Sequence, residues 1–570
     1  MARATIAPSL TPTLVEVIFR VISNSMQQQV LDHEEIEWQL EAVDLAPVEN
    51  WLKEHPSGAG LVVVPGWARE LSDLYYDTED WRFYRAGYAL RVRQDGESAE
   101  ATMKALAPSE GCLRRRREIS EPLEGIKTLK GISGPVGERA RRLAGTADLR
   151  PLFEVRTRRR TFALYTETPS SGEIFEDTSG NIRQQNSEQD AIVVAEIALD
   201  ESEIFANGGA STHLSRVEVE MGSDAAIHDS VGDFVEVLKE ALELRTTRTS
   251  KFRTGLSVAG LSPAVALDLG PTQIDATLTA GEVAFAILRR HFAAMLAHEP
   301  GVRLGEDPEE LHDMRVATRR LRAALKLYSN ALPKRSERYE RDLRWVGGAL
   351  GEVRDLDVHL QRLSEETSRN GEVLEEVVSL LRERQVEARR GMLKTLDSNR
   401  YERLIASFSA TLRRGRSPTS TAPILEAAPD LLSDRYKKVR KAANKLSEES
   451  PPEHFHDLRK KGKRLRYALE PLQEIYGKPA KKMVKLLKNM QDDLGEHQDL
   501  IVACGLMEEL GVAGDRPPQA AFSMGTMSER YDSEAAEIRS GFLGSKDLLT
   551  LKNGKPWKKL RRKLEKRAGV

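Results

Sequence analysis

At 570 residues the chain is too long for one ordinary core and is expected to hold two or more domains. Its 86 basic and 88 acidic residues nearly cancel, to a formal charge of −2, so an anion-binding site must come from clustering and not from overall charge. Two cysteines far apart, Cys112 and Cys504, exclude a disulfide framework and a cysteine-based zinc site, and no run of about 18 apolar residues offers a membrane span. A reducing, cytoplasmic setting without membrane contact is expected.

From the N-terminus, Leu14 to Ile22 is apolar but interrupted by Glu16 and Arg20, and it lacks a signal-peptide core and cleavage site. Residues 1–26 are expected to be a poorly ordered extension, with Met26 just ahead of the first domain-like segment. Residues 27–258 read as strands. Glu35-Ile-Glu-Trp-Gln-Leu-Glu41 alternates strictly, polar at 35, 37, 39 and 41 and apolar at 36, 38 and 40. Tyr88 to Arg93, Ala101 to Leu106, Arg114 to Ser120, Val155 to Phe162, Ile192 to Leu199 and Arg216 to Met221 behave similarly, bounded by turn residues such as Asp95-Gly96 and Ser179-Gly180. Many strands with charge on one face predict a barrel with a polar lumen.

Glu35 and Glu37 share one strand face, and Glu218 and Glu220 share another. Two such pairs can meet across a lumen and hold one or two hard divalent cations through oxygen. Basic strands oppose them: Arg91 and Arg93, Lys104, Arg114 and Arg116, and Arg156, Arg158 and Arg160, spaced by two within each set. Asp200 lies in phase with Glu196. Charges of one sign alone would be prohibitive to bury, whereas both signs bridged by metal and phosphate make a consistent site.

Pro263, Gly270 and Pro271 mark a linker over residues 259–274, and residues 275–568 read as helices, with loops at Arg416 to Pro423 and Gly514 to Pro518. This half is duplicated. His312-Asp-Met-Arg-Val-Ala-Thr-Arg-Arg-Leu-Arg322 is echoed by His456-Asp-Leu-Arg-Lys-Lys-Gly-Lys-Arg-Leu-Arg466, and Leu350-Gly-Glu-Val-Arg-Asp355 by Leu494-Gly-Glu-His-Gln-Asp499, both 144 positions on. Two motifs at one offset imply two copies of one helical hairpin, related by a pseudo-twofold. On a helix His312, Arg315, Arg319, Arg322 and Lys326 share one face, as do His456, Arg459, Lys463 and Arg466, with Glu470 at the last place. Like charges one turn apart repel by roughly a few tenths of a kcal/mol each, and an anion relieves that cost. Guanidinium groups grip phosphate oxygens with two bonds. The two faces can line one groove for a linear polyanion. Nucleic acid is disfavoured, since only Tyr467 interleaves with the cations as a stacking surface.

Two family resemblances follow from these residues. The pattern His-x-Met-Arg-x-x-x-Arg-Arg-Leu-Arg, with Leu-Gly-x-x-Arg-Asp-x-Asp, resembles the CHAD domain, a conserved-histidine α-helical domain, over about Thr277 to Arg567. It implies an all-α pseudo-twofold bundle that binds inorganic polyphosphate in a basic groove through His312, Arg315, Arg319, Arg322, Lys326, His456, Arg459, Lys463 and Arg466. The second copy departs at Gln498 and Ile501, where the first has Arg354 and Asp357.

The first half resembles the CYTH family, the triphosphate tunnel metalloenzymes, over roughly Gln27 to Leu256. The resemblance rests on Glu35-x-Glu37, Tyr76-Asp77-Thr78, Leu90-Arg-Val-Arg93, Lys104, Arg116-Arg-Glu118, Arg156-Thr-Arg158, Asp200, Glu218-Val-Glu220 and Ser250-Lys251-Phe252. It implies an eight-stranded antiparallel β tunnel that hydrolyses triphosphate compounds with Mg2+ or Mn2+. By position, Glu35, Glu37, Glu218 and Glu220 would serve the metal. Arg91, Arg93, Lys104, Arg116, Arg158 and Lys251 would hold the phosphate chain, and Glu118 and Asp200 would be catalytic, assisting metal or water. The signature lysine is Gln39 here, a neutral donor, and Ser120 stands where an acid is common. The expectation is an α+β two-domain inorganic triphosphatase, similar to bacterial CYTH-CHAD proteins, with inorganic triphosphate and polyphosphate as partners. The alternatives are a non-enzymatic polyphosphate-binding protein with a decayed tunnel, which Gln39 favours, and cyclase-type nucleotide chemistry.

Overall fold

The computed structural model describes residues 32–55, 57–58, 61–106, 111–123, 129–166, 174–176, 182–184, 193–206, 209–222, 228–247, 249–263, 268–370, 375–415, 422–512 and 518–569. The expected N-terminal extension, the Ser179-Gly180 turn, and parts of the expected linker and helical loops lie outside the described residues. The chain divides into two compact units, Met1–Val265 and Ala266–Val570.

The first unit is a closed barrel of eight antiparallel strands: β1 (Asp32–Glu41), β2 (Leu61–Asp77), β3 (Tyr88–Asp95), β4 (Ser98–Ala105), β5 (Leu113–Pro122), β6 (Arg150–Thr166), β7 (Val193–Ala206) and β8 (Ser211–Met221). Around the barrel the order is β1-β8-β7-β6-β2-β3-β4-β5, and β5 returns to β1. Closure removes both sheet edges. The alternation of β1 decides which way the sheet faces. Trp38 and Leu40 point outward and are buried with Val217, Val219 and Ile197 beneath α1 (Ala46–Glu54) and α3 (His228–Ala241). The polar partners at 35, 37 and 39 therefore point into the lumen.

β2 is the strand that the sequence pattern hides. Its Pro65-Gly66 pair reads as a turn, but the chain runs through it with a bulge between Pro65 and Ala68 against β6. Gly66 is required there, because a β-carbon would lie 2.4 Å from the Thr161 hydroxyl. Between β5 and β6 runs α2 (Pro135–Ala144). At the end of the unit α4 (Lys251–Val258) begins at Ser250, whose hydroxyl accepts the Arg253 amide at 3.2 Å. Phe252 and Leu256 anchor this helix on Tyr75, Phe153 and Val155. That contact sets the direction of Lys251, the first residue of the helix.

The second unit is all helix: α5 (Ala280–Leu304), α6 (Pro308–Leu327), α7 (Ser336–Asn370), α8 (Glu375–Leu396), α9 (Asn399–Arg414), α10 (Ile424–Asn444), α11 (Pro452–Leu469), α12 (Lys478–Val512), α13 (Pro518–Leu543), α14 (Lys546–Asn553) and α15 (Lys555–Ala568). The duplication is visible in it. α6 and α11 begin at the prolines 308 and 452, and α7 and α12 are each 35 residues long. Met314, Leu321 and Leu325 on α6, and Leu458, Leu465 and Leu469 on α11, are buried in one core. Among the described residues no helix is long and apolar enough to cross a membrane.

The α4 contact gives a stability test. A β-carbon at Gly255 would fall 2.1 Å from the Phe153 ring. Gly255→Leu should destabilise the first unit by about 2 kcal/mol through overpacking, read as a lower urea midpoint for barrel amides in hydrogen exchange. An unchanged midpoint would show that α4 does not hold the barrel end.

Candidate active site and polyanion-binding faces

The barrel encloses a cavity of about 360 Å³. Glu35, Glu37, Gln39, Arg91, Arg93, Lys104, Arg116, Glu118, Glu218, Glu220 and Lys251 all line it, contributed by six different elements. Their charges are paired across strands. Lys104 reaches Glu35 at 2.6 Å and Glu118 at 2.8 Å, and Arg116 Nε donates to Glu35 at 2.8 Å and also contacts Glu37. Arg91 lies 3.5 Å from Glu118. Burial opposes ionisation of Glu118, but Lys104 and Arg91 outweigh it and hold that carboxyl well below its usual range.

Two acids stand behind the cations. Asp73 is 1% exposed and takes Arg93 in a two-bond grip at 2.8 and 2.9 Å, with Arg91 at 3.7 Å. Burial works against its charge, but Arg93 and Arg91 prevail and hold its carboxyl well below the ordinary value. Asp200, fully buried, receives Arg159 through two bonds at 2.8 and 2.7 Å and also pairs with Lys251. Asp200 thus sits behind two cavity-lining cations, Arg159 and Lys251.

Two expectations are corrected by the geometry. Arg158 does not enter the tunnel. It is exposed on the outer face, in register with Glu70 and Glu201, together with Arg156. Arg159 takes the inner place, bonded to Asp200 and to Glu218 at 2.9 Å. The run Arg156-Thr-Arg-Arg-Arg160 is basic in both phases, so alternation alone cannot assign it, and the inward acids decide. Nor are the four glutamates gathered into one cluster. Among the described residues no three acidic, histidine or cysteine side chains converge closely enough to hold a metal as they stand. Glu35, Glu37 and Glu218 are drawn onto Lys104, Arg116, Arg159 and Lys251.

The donor chemistry nevertheless fits a hard cation. Glu220 opens onto the lumen, is itself exposed there, and makes no ion pair among the described residues. The tunnel walls displace part of its water and, with Glu35, Glu118 and Glu37 nearby, raise its carboxyl above the ordinary value. Negative charge is in excess at that spot, which is the condition a divalent cation relieves. Asp73, Arg159 and Arg69 belong to the site but escaped the sequence reading, and Glu196, noted there only for its phase, lines the cavity. Asp73 shares phase with Tyr75, a signal available once β2 is recognised as a strand.

In the helical unit the basic faces of α6 and α11 meet. Arg319, Arg320 and Arg466 surround the Tyr467 ring at 5.7, 5.7 and 5.3 Å. Arg315 lies over Gly351, and its counterpart Arg459 over Gly495. Arg315 also reaches Asp355 at 3.1 Å. Some of the charge is spent locally: Arg322 and Lys326 both lie 3.3 Å from Glu340, and Arg466 lies 3.2 Å from Glu470. Arg319, Arg459 and Lys463, all half-buried, form no ion pair among the described residues. Burial and then Arg319, Arg459 and Arg466 pull the Lys463 ammonium down to about 7. His312 and His456 are lowered, first by burial and then by Arg354 and Lys460 respectively, so both are neutral donors at physiological pH.

With this geometry in place the comparisons can be read. The CYTH domain family matches residues 64–255, and the CHAD domain family matches residues 286–508. The chain carries a CYTH domain followed by a CHAD domain. An uncharacterized protein of Mycobacterium tuberculosis is 29% identical over 242 residues, covering 40% of this chain and 45% of that protein. The match thus spans less than half the length of the curated relative. A CHAD domain from Ricinus communis is 29% identical, covering 48% of this chain and 95% of that one, with a TM-score of 0.42. A Hippeastrum protein with a dominant triphosphatase activity is 15% identical, covering 40% of this chain and 97% of that one, with a TM-score of 0.26. The RNA triphosphatase of S. pombe is 13% identical, covering 41% and 88%, with a TM-score of 0.17.

The CYTH tunnel yields a test of its scaffold. Asp73→Asn leaves Arg93 and Arg91 without their buried partner and should destabilise the barrel by about 3 kcal/mol at neutral pH. The Asp73 carboxyl is depressed when folded, so its contribution is complete above the unfolded value of 3.8 and is lost as pH falls toward the folded value. The gap between wild type and variant, followed by urea unfolding with exchange of β2 and β3 amides, should therefore close in acid. A gap independent of pH would contradict the ion-pair account.

Proposed function

We propose that the CYTH domain is a metal-dependent inorganic triphosphatase and that the CHAD domain binds polyphosphate. The observation that carries the first part is the convergence of Arg91, Arg93, Lys104, Arg116, Arg159 and Lys251 from opposite walls onto one enclosed cavity. A triphosphate chain carries the charge such a ring neutralises, and bidentate guanidiniums fix its course. Asp73 and Asp200 keep four of these cations in place before the substrate arrives, which spares reorganisation during the reaction. Phosphate oxygens displace the lumen carboxylates from their cation partners. Glu37 and Glu220, with Glu35 and Glu218, are then the oxygen ligands available for Mg2+ or Mn2+. The metal would neutralise charge developing on the transferred phosphoryl group. Glu118, kept ionised by Lys104 and Arg91, would orient the attacking water.

The test is phosphate release from tripolyphosphate, ATP and thiamine triphosphate with each divalent metal. Glu35→Gln with Glu37→Gln keeps volume but removes two negative charges, so metal-dependent release should fall by about a hundredfold or more in folded protein. Unchanged turnover would overturn the assignment. Tight tripolyphosphate binding without turnover in the wild type would support the binding-only reading, which the neutral Gln39 favours.

For the CHAD domain, Arg319, Arg459 and Lys463 are the cations free to meet an anion. Lys463 titrates near 7, and only its charged form attracts phosphate. Polyphosphate affinity should therefore fall as pH rises through about 7. Binding should take up a proton there, visible as a buffer-dependent heat in calorimetry. In Lys463→Gln the pH dependence should flatten. A wild type whose affinity and heat ignore pH and buffer would contradict this assignment.

A further inference from the structure

Two arginines beside the cavity serve none of the roles above. Arg114 on β5 and Arg216 on β8 flank β1 from its two sides, opposite Glu37 and Glu41. They share the inward phase of Arg116 and Glu118, and of Glu218 and Glu220. Arg114 is 7% exposed and Arg216 is 0% exposed. Neither forms an ion pair among the described residues. Each donates to one backbone carbonyl, Arg114 to Thr247 at 3.5 Å and Arg216 to Thr249 at 2.8 Å.

Among the described residues the Nε atoms of both arginines and Nη1 of Arg216 are buried without a hydrogen-bond partner, as are the Thr247 hydroxyl and the amide oxygen of Gln39. All of these gather around one stretch of β1, where the Thr247 amide donates to the Gln39 carbonyl at 3.2 Å. Of the nearby acids Glu37 and Glu218 are committed elsewhere, and Glu41 acts on Arg216 only at a distance, without an ion pair among the described residues. Glu37 holds Arg116 and the Gln39 amide at 2.8 Å, and Glu218 holds Arg159 and Lys251. A buried guanidinium without an acid is costly, and an oxyanion that accepts its N–H groups removes the cost.

We propose that Arg114 and Arg216 form an anion subsite at the Gln39 end of the tunnel, which takes phosphoryl oxygens of the substrate chain and supplies the charge that position 39 lacks. The inference rests on the tunnel reading above. Gln39 lines the cavity, and its side chain turns aside as the chain end enters. The two guanidiniums then bind the terminal phosphoryl group, whose two or three free oxygens match their unused donors. A neutral residue at position 39 is compatible with triphosphate binding because the positive charge has moved to the flanking strands.

The experiment is calorimetric titration of tripolyphosphate into the full chain, in a background where Arg319, Arg459 and Lys463 are Gln so that the helical cations do not compete. Arg114→Gln and Arg216→Gln should each weaken binding about tenfold or more, the loss of charge-assisted hydrogen bonds. Adding Gln39→Lys to the double variant should recover a substantial part of that loss, which a merely structural role would not allow. Wild-type affinity in both single variants, or no recovery with Gln39→Lys, overturns the subsite. Arg91→Gln with Arg93→Gln is the control. If it loses binding while the Arg114 and Arg216 variants do not, the subsite fails and the tunnel reading stands; if it also binds like wild type, the tunnel reading fails as well. Should the glutamine variants not fold, as judged by circular dichroism, Arg114→Lys and Arg216→Lys decide. They keep charge but lose the forked donors, so weaker binding is expected, and unchanged binding overturns the proposal.

Discussion

A β-barrel whose apolar strand faces are covered by outside helices has to put its polar faces inward, and everything else in the CYTH domain follows from managing that interior. Trp38 and Leu40 commit β1 to the core beneath α1 and α3, which forces Glu35, Glu37 and Gln39 into the lumen. Carboxylates and guanidiniums brought out of water on facing strands must satisfy one another. The barrel meets that demand at two depths. Asp73 and Asp200, almost without exposure, anchor arginines and a lysine from behind. From within the cavity Glu118 and Glu218 pair with Arg91 and Arg159 of that set, and Glu35 and Glu37 pair with Arg116. The rear pairs are scaffold. On the proposed function the lumen pairs are the exchangeable ones, since phosphate oxygens and a divalent cation would each replace one half of them.

The helical CHAD domain solves the opposite problem. Its cations are gathered on two helices of a duplicated unit, and the apolar faces of those helices are spent on a common core. Acids neutralise only part of the gathered charge. Glu340 takes Arg322 and Lys326, and Glu470 takes Arg466, while Arg319, Arg459 and Lys463 form no ion pair among the described residues. The depressed Lys463 ammonium records that crowding. The duplication is therefore not symmetric in charge. Arg315 has Asp355 at 3.1 Å, whereas Arg459 lies over Gly495 with no such pair.

Much of this was legible in the chain itself. The 3.6-residue pattern and the repeat at an offset of 144 located the paired basic helices, and strict alternation located β1 and most other strands. What escaped had physical reasons. β2 was hidden because Pro65-Gly66 imitates a turn, and a bulge absorbs them. The family pattern points to Arg158, but three consecutive arginines carry no phase, and only the position of Asp200 across the strand pair assigns the inward place to Arg159. That Arg159 and Lys251 stand in front of Asp200 is likewise set by the pairing of strands and not by its own position in the sequence. The orphaned donors of Arg114 and Arg216 are a property of packing, and no one-dimensional pattern reveals them.

The central claim is that lumen carboxylates and cations are exchange partners, so that phosphate chain and divalent metal each free the ligands of the other. Coupling of the two ligands measures this directly. Tripolyphosphate affinity of the tunnel, titrated with and without Mn2+ at concentrations where turnover is negligible, should tighten by about tenfold or more with the metal, and Mn2+ affinity should tighten by the same factor with tripolyphosphate. Affinities that are independent of each other would contradict the account.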